Sequence, residues 1–231
     1  MPYLAIDTSS EQLSLAITND SDTLGSNIVA REWHVGQKHA ELTLPYLRQL
    51  LDDHQLTMCD IEGVAYPCGP GSFTGLRIAC GITQGLAYAQ NIPTMGISTL
   101  EALAEACGAI RAYVCIDARM NQVYCAAFER DGQTWKIVHD AQVCNPEDVP
   151  QPEGKDWFGI GTGFSSYADA LKERIGSHLS QIDANRQPHA REILQLALPR
   201  FAAGLGKPAE EANLVYLRDK VALKTHERLQ K

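Results

Sequence analysis

Long apolar runs are missing from this 231-residue chain. None approaches the ~18–20 residues that a membrane-spanning helix needs, so no membrane partner is expected. The N-terminus, Met1-Pro2-Tyr3-Leu4, lacks a basic segment and leads straight into a strand-like run ending in an acid, which argues against a secretory signal. Runs of Lys and Arg are missing too, and the formal charge is −8. A free-standing nucleic-acid binder usually carries a basic patch. If this chain serves a nucleic acid, a partner is expected to supply most of the phosphate contacts. The seven cysteines are odd in number and never spaced Cys-x-x-Cys. They read as reduced core thiols of a cytoplasmic protein rather than a disulfide frame or a zinc site. There is no Gly-x-Ser-x-Gly elbow and no phosphate-binding Gly-x-x-x-x-Gly-Lys-Ser/Thr loop. His34 and His39 miss the i, i+4 spacing of a helical metal site and read as surface or turn residues.

What is present is ordinary globular material, 45% apolar and 21% charged, long enough to bury a core without staples. Tyr3–Asp7 reads as a buried strand ending in a carboxylate. A polar turn, Thr8-Ser9-Ser10-Glu11, leads to alternating strands over Gln12–Asn19 and Ser26–Trp33, a meander. Lys38–His54 is helical, with Ala40, Leu44, Leu47 and Leu51 on one stripe; Pro45 predicts a kink or a late start. Ile61–Tyr66 is a strand, 67–72 a tight loop, Phe73–Gln90 a helix and Thr94–Ile97 a strand. Ser98 and Glu101 form a capping box opening the next helix.

The chain repeats itself at an offset of 110. Tyr3-Leu-Ala-Ile-Asp7 matches Tyr113-Val-Cys-Ile-Asp117, Gln12 meets Gln122 and Ala16 meets Ala126. Chance is the bland explanation, since strands share composition, but each Asp ends its strand in the same place. The match predicts two halves on one plan: residues 1–108, residues 109–213, and a tail, 214–231, packing back on the first half. Later in the second half come a hairpin at Asp131-Gly132, a strand at Trp157–Gly161, a helix at Ser165–Ile175, a strand near Leu179–Ile182 and a helix at His189–Ala203.

Across a pseudo-twofold axis, Asp7 and Asp117 would face each other and hold a hydrated Mg²⁺ on a nucleotide phosphate. Thr8 and Ser9 would add hydroxyl and N–H donors. Gly161 and Thr162, within Gly159-Ile-Gly-Thr-Gly163, would let a base or ribose approach the backbone. The bland alternatives are capped turns. The loop Gly69-Pro-Gly-Ser-Phe-Thr-Gly75 reads as a tight strand-to-helix turn with Ser72 as N-cap. The helix after it carries Gly81 and Gly85 one turn apart, at a cost of roughly 0.5–1 kcal/mol each. Close approach of a second backbone, within the chain or from another, would offset that.

The stretch Tyr66-Pro-Cys-Gly-Pro-Gly-Ser-Phe-Thr-Gly-Leu-Arg77 is distinctive. With Leu4-Ala-Ile-Asp-Thr-Ser-Ser10, Gly96-Ile-Ser-Thr-Leu100, Ile116-Asp-Ala-Arg-Met120 and Val215-Tyr-Leu-Arg218, it resembles the bacterial TsaB (YeaZ) family over nearly the whole chain. The resemblance implies a duplicated actin/sugar-kinase-like α/β fold, two βββαβα-type halves with the second degenerate. It implies a non-catalytic partner in making N6-threonylcarbamoyladenosine 3′ of the tRNA anticodon. TsaD would carry the transfer chemistry and TsaE the ATPase; tRNA would be met only through the complex, and alone the chain would form a homodimer. The His-x-x-x-His metal pair of TsaD falls here on Thr99 and Leu103, which are poor metal ligands. The resemblance puts the partner face on the helices of the first half, at Leu44, Leu47, Leu51, Ser72, Phe73, Thr74, Arg77, Gly81 and Gly85. No cofactor is required, and ATP or ADP with Mg²⁺ would sit at the cleft or the partner interface. The competing class is a nucleotide hydrolase or phosphotransferase built on Asp7 and Asp117; a glycopeptidase ranks below both.

Overall fold

In a computed structural model the described residues are 2–18 and 27–218. They form two five-stranded mixed sheets of the same plan. The first contains β1 (Leu4–Asp7), β2 (Gln12–Thr18), β3 (Ile28–His34), β4 (Val64–Gly69) and β5 (Thr94–Ser98), in the order β3-β2-β1-β4-β5. The second contains β6 (Arg111–Asp117), β7 (Val123–Asp131), β8 (Thr134–Cys144), β9 (Trp157–Ile160) and β10 (Leu179–Asp183), in the order β10-β9-β6-β7-β8. In each, the three strands earliest in the chain pair antiparallel (β1-β2-β3 and β6-β7-β8), and the two later strands join parallel on the other side of β1 or β6. The duplication read from the offset is therefore a duplication of topology.

The helices show where the second copy has decayed. α1 (His39–Asp53) and α2 (Phe73–Gln90) cover one face of the first sheet; α3 (Thr99–Ala106) follows β5. In the second half no α-helix stands between β8 and β9, only a 3-10 turn at Pro146–Asp148. The counterpart of α2 is broken at Tyr167 into α4 (Gly163–Ser166) and α5 (Ala168–Ile175), where one helix over 165–175 was expected.

The strands alternate strictly. Leu4, Ile6, Leu13, Leu15 and Ile17 meet Leu47, Leu50, Leu51 and Ala79 on one face. Ala5, Ala16 and Ala65 meet Ile193, Leu194, Ala197 and Phe201 on the other. The last four belong to α6 (Ala190–Ala202), a second-half helix in sequence that packs on the first sheet. In return α3 gives Leu100, Leu103 and Ala104 to the core of the second sheet, against Val114, Phe128 and Ile160. The halves thus exchange their last helices, and an ion pair between Glu101 and Arg200 ties the two together.

That pair corrects the expected capping box, since Ser98 makes no side-chain cap and Glu101 reaches Arg200 instead. β4 runs through Pro67, expected as loop. β1 pairs with β4 only at Val64 and Ala65, so no ladder partner on that side needs the missing N–H. α1 begins six residues before Pro45, not late. Its buried stripe is His39, Thr43, Leu47, Leu50 and Leu51, which leaves Ala40 and Leu44 outside. All seven cysteines are free; Cys59 is exposed rather than in the core. Residues 219–231 of the tail, and the expected strand start at Ser26, lie outside the described residues.

Candidate functional site

Two features are candidates, a cleft between the halves and the outer face of α1 and α2. The cleft has a volume of about 1090 Å³. Of the residues expected there, Ser9, Asp117 and Thr162 line it, whereas Asp7, Thr8 and Gly161 do not. The reason lies in the Gly-rich loop. Thr8 donates its hydroxyl to the Gly75 carbonyl at 2.7 Å, and the Ser72 N–H reaches the Ser9 carbonyl at 2.9 Å. A Cβ on Gly75 would stand 1.8 Å from the Thr8 carbonyl oxygen. The loop therefore plugs the turn after β1, and glycine is what lets it seat. Ser72 caps α2 as expected, accepting from the Gly75 N–H at 3.3 Å.

Asp7 is sealed behind that plug. One oxygen accepts the Ser9 N–H at 2.7 Å; the other is buried with no partner among the described residues. Burial pushes its carboxyl above the ordinary range, against the Ser9 hydrogen bonds and the nearby His189 and His39. His39 is itself buried, not a surface residue, with its ring facing the Gln12 carbonyl at 3.3 Å.

Asp117 is the opposite case. It accepts from the Arg119 N–H (2.8 Å), the Arg119 guanidinium (3.2 Å), the Tyr167 hydroxyl (3.2 Å) and the Ser166 hydroxyl (3.4 Å). Thr162 accepts its backbone N–H at 3.2 Å. Gly161 and Gly163 are explained without a ligand, because a Cβ on either would fall within 3.0 Å of Cys115. Among the described residues, no group of three or more His, Cys, Asp or Glu is arranged to hold a metal. The Thr99 hydroxyl donates to the Pro70 carbonyl, and Leu103 is fully buried in the second core.

Sequence reasoning missed three cleft arginines, Arg119, Arg186 and Arg218. Arg218 bonds Gln122 at 2.8 Å and touches the Met120 sulfur. The signal was available, since the Val215–Arg218 and Ile116–Met120 motifs are the segments that meet here.

On the outer face, Leu47 and Leu51 are 3% and 5% exposed and belong to the core, so they are not part of a partner surface. They sit on α1's inner stripe; Leu44, one position off it, is 50% exposed. Ser72, Phe73, Thr74, Arg77, Gly81 and Gly85 are all exposed, but Ser72, Phe73 and Thr74 at the start of α2 line the cleft, which leaves Arg77, Gly81 and Gly85 on the outer face. Among the described residues, nothing lies within 4 Å of a Cβ built on Gly81 or Gly85. Arg77 stands over the Phe73 ring at 3.6 Å and bonds the Tyr216 hydroxyl at 3.1 Å. Tyr88, 78% exposed, continues the same face and was missed, although it follows Gly85 at helical spacing.

A family model described as TsaD, tRNA N6-adenosine threonylcarbamoyltransferase, matches residues 33–225. The tRNA threonylcarbamoyladenosine biosynthesis protein TsaB of Escherichia coli is 37% identical, covering 97% of each chain. This chain belongs to the TsaB family. The TsaB of Haemophilus influenzae is 32% identical over 97% of this chain and 96% of that one. The structure of YeaZ from Pseudomonas aeruginosa superposes with a TM-score of 0.83 at 35% identity, covering 94% of this chain and 100% of that one. Among the described residues no helix is long and apolar enough to cross a membrane.

Proposed function

We propose that this chain is the non-catalytic subunit of the tRNA threonylcarbamoyladenosine machinery in the cytoplasm, binding and stabilising a TsaD subunit and helping to recruit TsaE. The observation that carries this reading is the open glycine face of α2. Two interior glycines cost roughly 1–2 kcal/mol together and meet no atom among the described residues of their own chain. A second helix laid across Gly81 and Gly85, flanked by Arg77 and Tyr88, gives that cost a return. Exposed aromatic and arginine side chains beside a flat seam are what interface anchors look like. Without TsaD the same face would take a second copy of this chain, and tRNA would be met only through the complex.

The chain's own slots favour a supporting role. Where a TsaD-type subunit would place its two metal-binding imidazoles, Thr99 is tied to the loop and Leu103 fills the core. The reading needs no cofactor of this chain's own, because the Thr8 hydroxyl that would cradle a phosphate is already bonded to Gly75.

Reconstitution tests it. TsaD, TsaE, tRNA, ATP and threonylcarbamoyl-adenylate are assayed for modified adenosine with this chain, without it, and with its Gly81→Trp variant. Modification that needs the native chain, and falls at least tenfold with a folded variant, supports the reading. Equal modification without the chain ends it. Nucleotide turnover by the chain alone would favour the hydrolase alternative.

A further inference from the structure

Three thiols of the second half share one core: Cys115 on β6, Cys125 on β7 and Cys144 at the end of β8. Cys115 lies directly opposite Cys125, and both are buried. Cys144 is not opposite Cys125; Gln142 is. The ladder slips register between Cys125 and Ala127, and the diagonal sulfurs of Cys125 and Cys144 lie 3.7 Å apart. That is thiol hydrogen-bonding distance, longer than the ~2.05 Å of a covalent bond but with the two sulfurs already facing each other.

The two thiols are unequal. Cys144 is partly exposed. Either sulfur can donate to the other across this contact. Cys125 is buried in the core behind it. The partly exposed Cys144 sulfur is thus the one a peroxide can reach, and the buried Cys125 sulfur beside it is placed to resolve. Cys59 is exposed and belongs to neither core.

We propose that Cys125 and Cys144 form a reversible disulfide when the protein meets a peroxide, stapling the edge strand β8 to β7. The Cys144 thiolate attacks one peroxide oxygen; the O–O bond breaks, and the departing hydroxide is protonated to water. The Cys125 sulfur then attacks the Cys144 sulfenic acid. The S–S bond forms as the S–O bond breaks, and the Cys125 proton leaves with the hydroxide as a second water. Two thiols supply the two electrons that reduce the peroxide. A small-molecule dithiol reverses the bond. β8 is held in the sheet by β7 alone, so the staple fixes an edge that otherwise depends on an irregular ladder. It lies in the half opposite to the α2 face, so partner binding is expected to be unchanged.

The full chain is treated with hydrogen peroxide, its remaining thiols are alkylated, and the digest is mapped by mass. The expected result is protection of two of the seven thiols, a chain ~2 Da lighter, and a peptide joining Cys125 to Cys144. Dithiothreitol should restore both thiols. The oxidised native chain should melt at a higher temperature than the reduced one, a shift that Cys144→Ser abolishes and Cys59→Ser keeps. Unchanged alkylation of both thiols, over-oxidation of Cys144 without a crosslink, or a bond joining Cys115 to Cys125 would each overturn the proposal. Mapping uses the native chain, so its outcome does not depend on the folding of a variant.

Discussion

The turn after β1 and the turn after β6 hold the same place in two sheets of identical order, yet one is plugged and the other is open. Asp7 ends β1 buried, with one oxygen unpaired among the described residues, because the Gly69–Gly75 loop has closed over it. Asp117 ends β6 at the cleft, with Arg119, Ser166 and Tyr167 gathered on its carboxylate. The register differs as well. Asp7 faces Ser14, but Asp117 faces Val123, one residue short of the offset. The shortened turn places Arg119, Met120 and Asn121 in succession at φ of +60°, +55° and +59°. Non-glycine residues held there cost about 1 kcal/mol or more each. Equal sequence ends therefore do not make equal sites; what closes over each end decides.

The sharpest way to break this contrast is to unseat the plug. Gly75→Ala puts a methyl group into the Thr8 carbonyl and should cost about 3 kcal/mol in urea unfolding. Gly163→Ala, which meets Cys115 within β6 rather than the turn after it, should cost about 1–2 kcal/mol. A Gly75→Ala loss no larger than that of Gly163→Ala would mean that the loop does not tightly seal the turn after β1.

Next comes the acid behind the plug. Because the fold favours the protonated Asp7 carboxyl, its contribution is fully present below the unfolded value of 3.8 and is lost as pH rises through the higher folded value. Asp7→Asn should therefore gain on the native chain as pH rises, by about 1–2 kcal/mol at neutral pH in denaturation curves. No gain with pH would mean that the buried charge is compensated.

Smaller effects test the hydroxyls. Thr8→Val removes the bond to Gly75 and Thr162→Val the bond to the Asp117 N–H, each expected to cost about 1 kcal/mol by thermal unfolding. The smallest effect has the opposite sign. Gly81→Ala meets open space and should stabilise the isolated chain by about 0.5–1 kcal/mol. A loss there would show that α2 needs its glycine for its own fold.

Much of the fold was legible because its signals are local. Alternation in Leu13, Leu15 and Ile17 marks β2, and Ser72 before Phe73 marks the start of α2. The site was less legible. At about 100° per residue, Leu44 stands only about 60° around α1 from Leu47 and about 20° from Leu51, so simple spacing puts all three on one stripe. Leu44 is nonetheless half exposed while Leu47 and Leu51 are in the core, because what packs against each turn of the helix decides burial. Arg186 and Arg218 lie far from the first half's motifs in the chain and reach the cleft only through long-range packing.

By itself, the sequence determined the two-copy plan, the strand–turn–strand starts ending in Asp7 and Asp117, and the glycines of α2. Each is a matter of residue type or short spacing, which tertiary contacts do not alter. Only the tertiary structure decided that the halves trade α3 and α6, that Glu101 binds Arg200 instead of capping a helix, and that Asp7 is sealed while Asp117 is open. Those outcomes depend on which surfaces meet after the chain has crossed from one sheet to the other. Burial and long-range hydrogen bonding set them, and neither is a property of a short stretch of residues.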